Sequence, residues 1–401
     1  MELAINFLAA AAMLGLQPAA GAVTQGEAAS HQHAVHTHEH ADVIPSRVLV
    51  FPDTRDGRRV LSVDLHTHSV FSDGHVWPTV RTWEAQRDGL AAMAVTEHLE
   101  YQPKSEDIPH PDRNRSYQVA SESAAKLEGA DLIVINGAEI TRKLSPGHIN
   151  AVFIKDANPL LTIEERDEDN LENATQALRE AQRQGGFTFW NHPYWGRDFP
   201  DGVLVVPEEQ KQLFAEGLIQ GIEVANGHGY SEATFQVALD HDLVILGTSD
   251  IHGLVDYDYD FDAGEHRTVT LVLAREKTAE AIRKALVGGQ TAALFMGHVI
   301  GREPQVRAVV EGALTLVPGT LREDSQVLPL TIRNDAPIRM ILRNVGPRRF
   351  SNASDIVTVP AHGEVRVNLT ATPDPSAVVL PVEVVNAFVE PQTSLRMELK
   401  P

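Results

Sequence analysis

From Val63 to about His298, short apolar runs alternate with stretches of helical period. The apolar runs predict strands over residues 61–64, 91–96, 132–137, 149–154, 187–190, 221–224, 243–247 and 269–273. Between them, helices are expected over 79–87, 116–128, 171–184, 208–215, 232–240 and 278–287. Repeated strand–helix units predict parallel pairing, and seven or eight such strands predict an α/β barrel close to the TIM type. Past Arg302-Glu303-Pro304 the pattern becomes alternating, with runs at 306–310, 327–333, 339–343, 356–359, 365–369, 378–385 and 395–399. Turns rich in Gly, Pro, Asn and Asp separate these runs, which predicts a small all-β sandwich over 301–401 after a barrel over 59–300.

The chain opens differently. Residues 3–16 form an apolar run too short to span a bilayer, followed by Ala20-Gly21-Ala22, a small-residue cleavage pattern. A signal peptide over 1–22 is therefore expected, although its first residues carry Glu2 and no lysine or arginine. Such a signal implies a periplasmic or secreted protein with no transmembrane anchor after cleavage. Residues 23–58 read as a histidine-rich linker bearing His31, His33, His36, His38 and His40. No strand pattern fixes these histidines, so a zinc-collecting tail and a solvated low-complexity linker both fit.

With 43% hydrophobic residues and a mean hydropathy of −0.17, the rest is ordinary soluble globular sequence. The net charge of −21 argues against a surface that coats nucleic acid. It leaves room for a small anion at a locally positive centre. The absence of cysteine removes thiolate metal sites, disulfides and cysteine nucleophiles together. No Gly-x-Ser-x-Gly elbow offers a serine nucleophile either.

The chemistry concentrates at the expected strand ends. Asp64-Leu65-His66-Thr67-His68 places its polar side chains on one face, since positions two apart on a strand point the same way. Two imidazoles held side by side suit a divalent cation such as zinc, and Asp73 can fold back from the Ser72-Asp73-Gly74 turn. Further along, His98, Glu139, His148, His192, Asp250 and His252 lie at or beside strand ends. His148 precedes its strand and is expected to enter from a neighbouring turn. So many polar groups in one cavity are costly unless cations compensate them.

Six motifs carry a family resemblance: Asp64–Gly74 (DLHTHSVFSDG), Thr96-Glu97-His98, Gly137-Ala138-Glu139, Gly147-His148-Ile149-Asn150, Asn191-His192-Pro193 and Ser249-Asp250-Ile251-His252. In these the chain resembles the PHP (polymerase and histidinol phosphatase) family from about Val63 to His298. The resemblance implies a distorted (β/α)7 barrel and a trinuclear site, usually zinc, sometimes manganese or iron. It implies one ion held by His66, His68, Glu139 and Asp250. A second would take Glu139 as a bridge with His148 and His192, and a third Asp73, His98 and His252. Related amidohydrolase barrels place a carbamoylated lysine where Glu139 falls here, which favours the phosphoesterase branch.

The expected reaction is hydrolysis of a small phosphorylated compound by a metal-bridging hydroxide, with Glu139, Asp250 and His192 as catalytic residues. Three divalent ions against Asp73, Glu139 and Asp250 leave about +3 to attract phosphate. Arg142, Lys143, Arg113 and Arg115 are the candidate substrate contacts, and residues 101–115 a candidate lid. Tyr194 and Trp195 are placed to stack on a planar group or to pack, and the acidic run 256–262 flanks the site. Asp64 and Glu97 are expected to orient histidines, with His228 and His266 as further donors. The alternatives are a phosphodiesterase or exonuclease on short oligonucleotides, and a non-enzymatic zinc store. Oligomeric state is left open.

Overall fold

The computed structural model describes residues 47–127, 129, 131–143, 145–163, 170–195, 204–322, 325–370 and 377–401. The expected signal and the histidines of the linker lie outside the described residues. In chain order the first part runs β1 (Arg59–Asp64), α1 (Pro78–Arg87), β2 (Ala92–Val95), α2 (Arg115–Ala124), β3 (Ile133–Thr141) and β4 (His148–Val152). It continues with α3 (Leu171–Arg183), β5 (Phe187–Trp190), α4 (Glu208–Ala215), β6 (Gly221–Asn226), β7 (Gly229–Tyr230), α5 (Glu232–Asp240) and β8 (Val244–Thr248). Then come α6 (Val255–Asp258), β9 (Val269–Ala274), α7 (Ala279–Val287), β10 (Thr291–Phe295) and β11 (His298–Gly301). The last part is α8 (Glu303–Ala313), β12 (Leu314–Pro318), β13 (Val327–Asn334), β14 (Met340–Asn344), β15 (Ile356–Val359), β16 (Gly363–Thr370), β17 (Leu380–Glu390) and β18 (Thr393–Leu399).

Local chemistry sets several boundaries. Asn170, Ser231 and Thr278 accept backbone N–H bonds from Asn173, Thr234 and Ala281, capping α3, α5 and α7. Pro78 opens α1 and Pro304 the first turn of α8, where proline's missing N–H costs nothing. In α3 the buried Ala174, Ala177, Leu178 and Ala181 follow helical spacing and face the sheet.

The sheet is mixed rather than uniformly parallel. β1, β2 and β3 pair in parallel, as do β5, β6 and β8. β4 runs antiparallel to both β3 and β5, and β9 antiparallel to β1 and β10. The reversal of β4 puts its first residue, His148, beside the C-terminal ends of β3 and β5. His148 therefore reaches the site from the strand itself, not from a neighbouring turn.

The expected (β/α)7 barrel is not a closed one. Among the described residues no ladder joins β8 to β9. Threonine hydroxyls tie β8 to β9 and β10 instead: Thr270 Oγ1, on β9, accepts from Gly247 N (3.1 Å) and donates to Gly247 O (2.8 Å), and Thr291 Oγ1, on β10, donates to Ile245 O (2.8 Å). A Cβ at Gly247 would sit 2.9 Å from both Ala293 Cβ and Val269 O, so the close approach of the strands requires glycine.

The C-terminal part corrects the expected all-β region in one respect. Residues 306–310 are helical, inside α8, where Val306, Val309, Val310 and Ala313 are buried at helical spacing. The β-branched run Val-Arg-Ala-Val-Val has strand propensity, but packing of one face overrides it. From β12 on, a three-stranded sheet β12-β13-β16 shares one apolar core with β15-β14-β17-β18. β17 also pairs in parallel with β11 through Val299↔Ala387 and Ile300↔Phe388, so the large sheet runs on into this domain. Within residues 47–58, part of the expected linker, Leu49 and Phe51 are buried in the same core. No helix among the described residues is long and apolar enough to cross a membrane.

Candidate metal centre

β1 ends at Asp64, and a bridge from Thr67 to Ile251 continues its direction beside the segment after β8. This brings His66 and His68 against Asp250. His66 Nε2 lies 3.0 Å from His68 Nε2, 3.3 Å from Glu139 Oε2 and 3.1 Å from Asp250 Oδ1. His68 Nε2 lies 3.3 Å from Glu139 Oε2 and 3.0 Å from Asp250 Oδ1. Ligands about 2.0 Å from a tetrahedral zinc stand roughly 3.3 Å apart. His66, His68 and Asp250 thus have the spacing of one coordination shell, and Glu139 joins the group through its 3.3 Å approach to both imidazoles.

The protons support the same conclusion. His66 Nδ1 is 2.8 Å from Glu223 Oε1, which fixes its N–H there and turns the Nε2 lone pair toward two carboxylates. Lone pair facing carboxylate is repulsive unless a proton or a cation lies between. Asp250 Oδ1, though close to both imidazoles, is buried without a hydrogen bond, and so are Asp73 Oδ1, His148 Nδ1 and His192 Nδ1. Candidate ligand atoms lie within 4.8 Å of one another in three groups: His66, His68 and Asp250; His98, Glu139 and His148; and His68, Asp73, His98 and His252. The donor set, all imidazole and carboxylate, fits divalent transition metals.

Glu139, fully buried on β3, has its two oxygens on different groups. Oε2 faces His66 and His68, with His98 Nδ1 at 2.9 Å; Oε1 faces His148 Nδ1 at 2.8 Å and, farther off, His192 Nε2 at 3.9 Å. Asn191 Nδ2 donates to Oε1 at 3.0 Å and sets the carboxylate plane. A further group forms around Asp73, with His252 Nε2 at 3.0 Å and His98 Nε2 at 3.4 Å. The His68 and His252 rings stack with centroids 4.3 Å apart. All nine sequence candidates for metal binding thus lie in one cluster. Asp250 and His192 hold positive φ values of 51° and 29°, a costly backbone geometry that surrounding contacts must impose.

Without metal, the charges lean on each other. Burial opposes a charged His66, yet Asp250, Glu223 and Glu139 outweigh it and raise its pKa well above the usual range. Burial likewise opposes a charged His98, but Glu139 and Asp73 push it up to about 10. Burial works against ionised Glu139 and Asp250 too; neighbouring histidines prevail and hold both well below normal carboxylate values. Burial lowers His192.

Sequence reasoning missed Glu223. Its Oε1 also accepts from Thr248 Oγ1 (2.7 Å), while Oε2 accepts from His192 N (2.7 Å) and Asn226 Nδ2 (2.8 Å). A glutamate inside the otherwise apolar Gly221–Asn226 strand was the available signal, because a buried charge needs partners. Asp64 accepts from Ser249 N at 3.2 Å and is balanced by buried Arg267 at 3.4 Å, so it anchors the segment before Asp250. Glu97 accepts from Ser69 N at 3.1 Å and from the Ser69 and Ser72 hydroxyls, shaping the loop toward Asp73.

The expected substrate contacts fare differently. Arg142 is buried, its guanidinium bonded to Glu100 Oε1 (2.7 Å) and Thr162 Oγ1 (3.0 Å), so it is a structural ion pair and not a substrate contact. Arg113 donates to His110 O, exposed Arg115 contacts Gln118 on α2, and Lys143 is exposed. None of the four lines the cavity of about 510 Å³ over the cluster. That cavity is lined by Tyr194, Trp195, Asn226 and Gly229 opposite the histidines and aspartates. In the expected lid, Lys104 Nζ donates to Gly74 O at 2.8 Å, over the Asp73 turn. His266 bonds the backbone of Arg267 and Gly297, and His228 packs on Tyr259; neither touches a candidate ligand. In the acidic run, Asp256 is tied to Arg47 and Arg87.

Among known proteins, an Ig-like domain family matches residues 314–400. No curated protein matches the chain. A solved structure from Bacteroides vulgatus, a two-domain protein containing a predicted PHP-like metal-dependent phosphoesterase, is similar at 38% identity and a TM-score of 0.78. The alignment covers 88% of this chain and 98% of that one. PsfC from Pseudomonas syringae is 19% identical over 59% of this chain and 91% of its own, with a TM-score of 0.40. A metal-dependent phosphoesterase structure from Bifidobacterium adolescentis is 17% identical over 49% and 89%, with a TM-score of 0.36. The chain belongs to the PHP-like metal-dependent phosphoesterases, in a two-domain form with a C-terminal Ig-like domain.

Proposed function

We propose that the chain hydrolyses a small phosphorylated compound at the metal centre described above, with three divalent ions, zinc foremost and manganese or iron as alternatives. The observation that carries this reading is the four-donor group of His66, His68, Glu139 and Asp250, in which the two imidazoles stand 3.0–3.3 Å from each other and from both carboxylates. Glu139 would bridge toward His148 and His192, and Asp73, His98 and His252 would hold the remaining ion. When bound, such ions supply Lewis acidity toward phosphoryl oxygens and bring coordinated water near ionisation at neutral pH.

The chain's own residues do the rest. Glu223 holds His66 in the tautomer that leaves Nε2 free for a ligand bond. Asp250 lines the cavity with Oδ2 3.9 Å from His192 Nε2, so this carboxylate is placed to take the proton of an attacking water. With burial lowering its pKa, His192 is neutral at pH 7, the form in which an imidazole can hold a metal. Glu223 adds one negative charge to the count, leaving about +2 to draw in phosphate.

A cavity of about 510 Å³ and a net charge of −21 favour a small substrate over oligonucleotides. Export to the periplasm or beyond remains the reading of the first 22 residues. The test is metal analysis of the purified protein alongside a panel of phosphomonoesters and diesters. About three ions per chain are expected, with turnover abolished in His66→Ala and Glu139→Ala while both variants stay folded. Fewer than two tightly held ions, or turnover untouched by either substitution, contradicts the proposal.

A further inference from the structure

Asp73 and His252 are not held by the sheet. Asp73 sits in the turn after β1's extension, and His252 just beyond the bridge residue Ile251. Yet their side chains meet at 3.0 Å, so beyond the backbone bond from His75 N to His252 O (2.7 Å) something must hold both loops in place.

That something is a buried arginine on α1. Arg81, only 1% exposed, donates from Nε to His68 O at 2.8 Å and from Nη2 to His252 O at 2.8 Å and Gly253 O at 2.6 Å. Its Nη1 bonds Glu84 Oε2 at 2.6 Å, and Glu84 Oε1 accepts from Val255 N at 2.9 Å. One guanidinium therefore grips the backbone of His68 and His252, two of the three histidines around Asp73, and its counter-ion ties down the segment that follows His252. The Asp73 turn packs directly on this anchored backbone: a Cβ on Gly74 would lie 2.6 Å from His68 C and Ser69 N.

The chemistry of the choice is telling. A buried charge stabilises a fold no better than a well-packed apolar side chain, and often less. Burying a cation beside groups that hold cations adds repulsion. A planar fork of N–H donors aimed at three carbonyls in two loops does what neither an apolar side chain nor a lysine can. We infer that Arg81 is a positioning residue, setting the group of Asp73, His98 and His252 against the group of His66, His68, Glu139 and Asp250. This rests on the phosphoesterase reading, because it assigns Arg81 a role in holding one of the proposed ions.

The test reads metal, not turnover. Wild type, Arg81→Lys, His252→Ala and the double variant are equilibrated with buffered free Zn²⁺, and bound metal is measured per chain. Arg81→Lys is expected to weaken one ion by about 10–100-fold and leave the others in place. His252→Ala removes that same ion, so the double variant loses nothing beyond His252→Ala alone. Glu84→Gln, a milder change, is expected to weaken the same ion several-fold and serves if Arg81→Lys does not fold. Wild-type metal content and affinity in Arg81→Lys, or in Glu84→Gln where that is the variant measured, overturns the assignment alone. Equal weakening of every ion, additive with His252→Ala, also overturns it by showing general loosening. Wild type holding no divalent ion overturns the phosphoesterase reading itself.

Discussion

Replacing Glu223 with glutamine changes one charge and almost no volume, yet the structure gives it a specific consequence. The two oxygens of Glu223 serve separate partners: Oε1 takes His66 Nδ1 and Thr248 Oγ1, while Oε2 takes His192 N and Asn226 Nδ2. A glutamine has one oxygen and one NH₂. The backbone N–H of His192 and the amide of Asn226 are both donors, so the oxygen must face them. The NH₂ then faces His66 and Thr248. Thr248 can rotate its hydroxyl to accept, and His66 can only accept at Nδ1 by moving its proton to Nε2. That proton would point into the four-donor group and has to be displaced before a metal binds. Loss of an orienting carboxylate behind a ligating histidine costs about 10–100-fold in affinity, or roughly 1.4–2.7 kcal/mol. The assay is competition of the loaded protein with a chelator of known affinity. Affinity within twofold of wild type would refute the reasoning.

Other expectations follow from the same geometry. His66 and His98 have raised pKa values without metal, so both carry protons at pH 7, and metal binding must expel them. Calorimetry in two buffers of different ionisation enthalpy should show release of more than one proton per chain, with affinity falling as pH drops; no net release would contradict it. In the metal-free protein, the stabilisation from His98 is fully present below its ordinary 6.5 and is lost as pH rises through about 10. That of Glu139, whose pKa is lowered, is present above its ordinary 4.5 and is lost on acidification. Denaturant midpoints of the metal-free form should therefore fall at both ends of that range, and a midpoint still rising above pH 10 would speak against the charge network. Arg142→Ala strands the buried Glu100 carboxylate and should cost about 3–5 kcal/mol by urea unfolding with KM unchanged; a raised KM at unchanged stability would restore Arg142 as a substrate contact. Gly247→Ala forces a methyl against Ala293 and Val269 at the β8–β9 seam and should lower stability by about 1–3 kcal/mol. A neutral effect would mean the seam is looser than described.

The site was more legible in the sequence than the fold that carries it. Metal-binding side chains recur at strand ends in short motifs, and position parity tells which of them share a face, as with His66 and His68. Strand direction is not written locally: β4 reads like any other apolar run, and only its antiparallel pairing explains how His148 arrives at the mouth. Glu223 was overlooked because its meaning lies in a contact with His66, 157 residues away in the chain. Arg142 was drawn toward the site by closeness in sequence, although its guanidinium is held by Glu100 and Thr162 instead. In α8 a β-branched run concealed a helix whose buried residues recur at positions 306, 309, 310 and 313. Barrel closure failed for a related reason, since side-chain hydroxyls of Thr270 and Thr291 replace a ladder that backbone patterning alone would supply.

The most direct measurement is anomalous scattering from crystals of the protein grown with zinc. A peak is predicted about 2.0–2.2 Å from each of His66 Nε2, His68 Nε2 and Asp250 Oδ1. Crystals that diffract well under saturating zinc yet show no anomalous density among those three atoms would contradict the account.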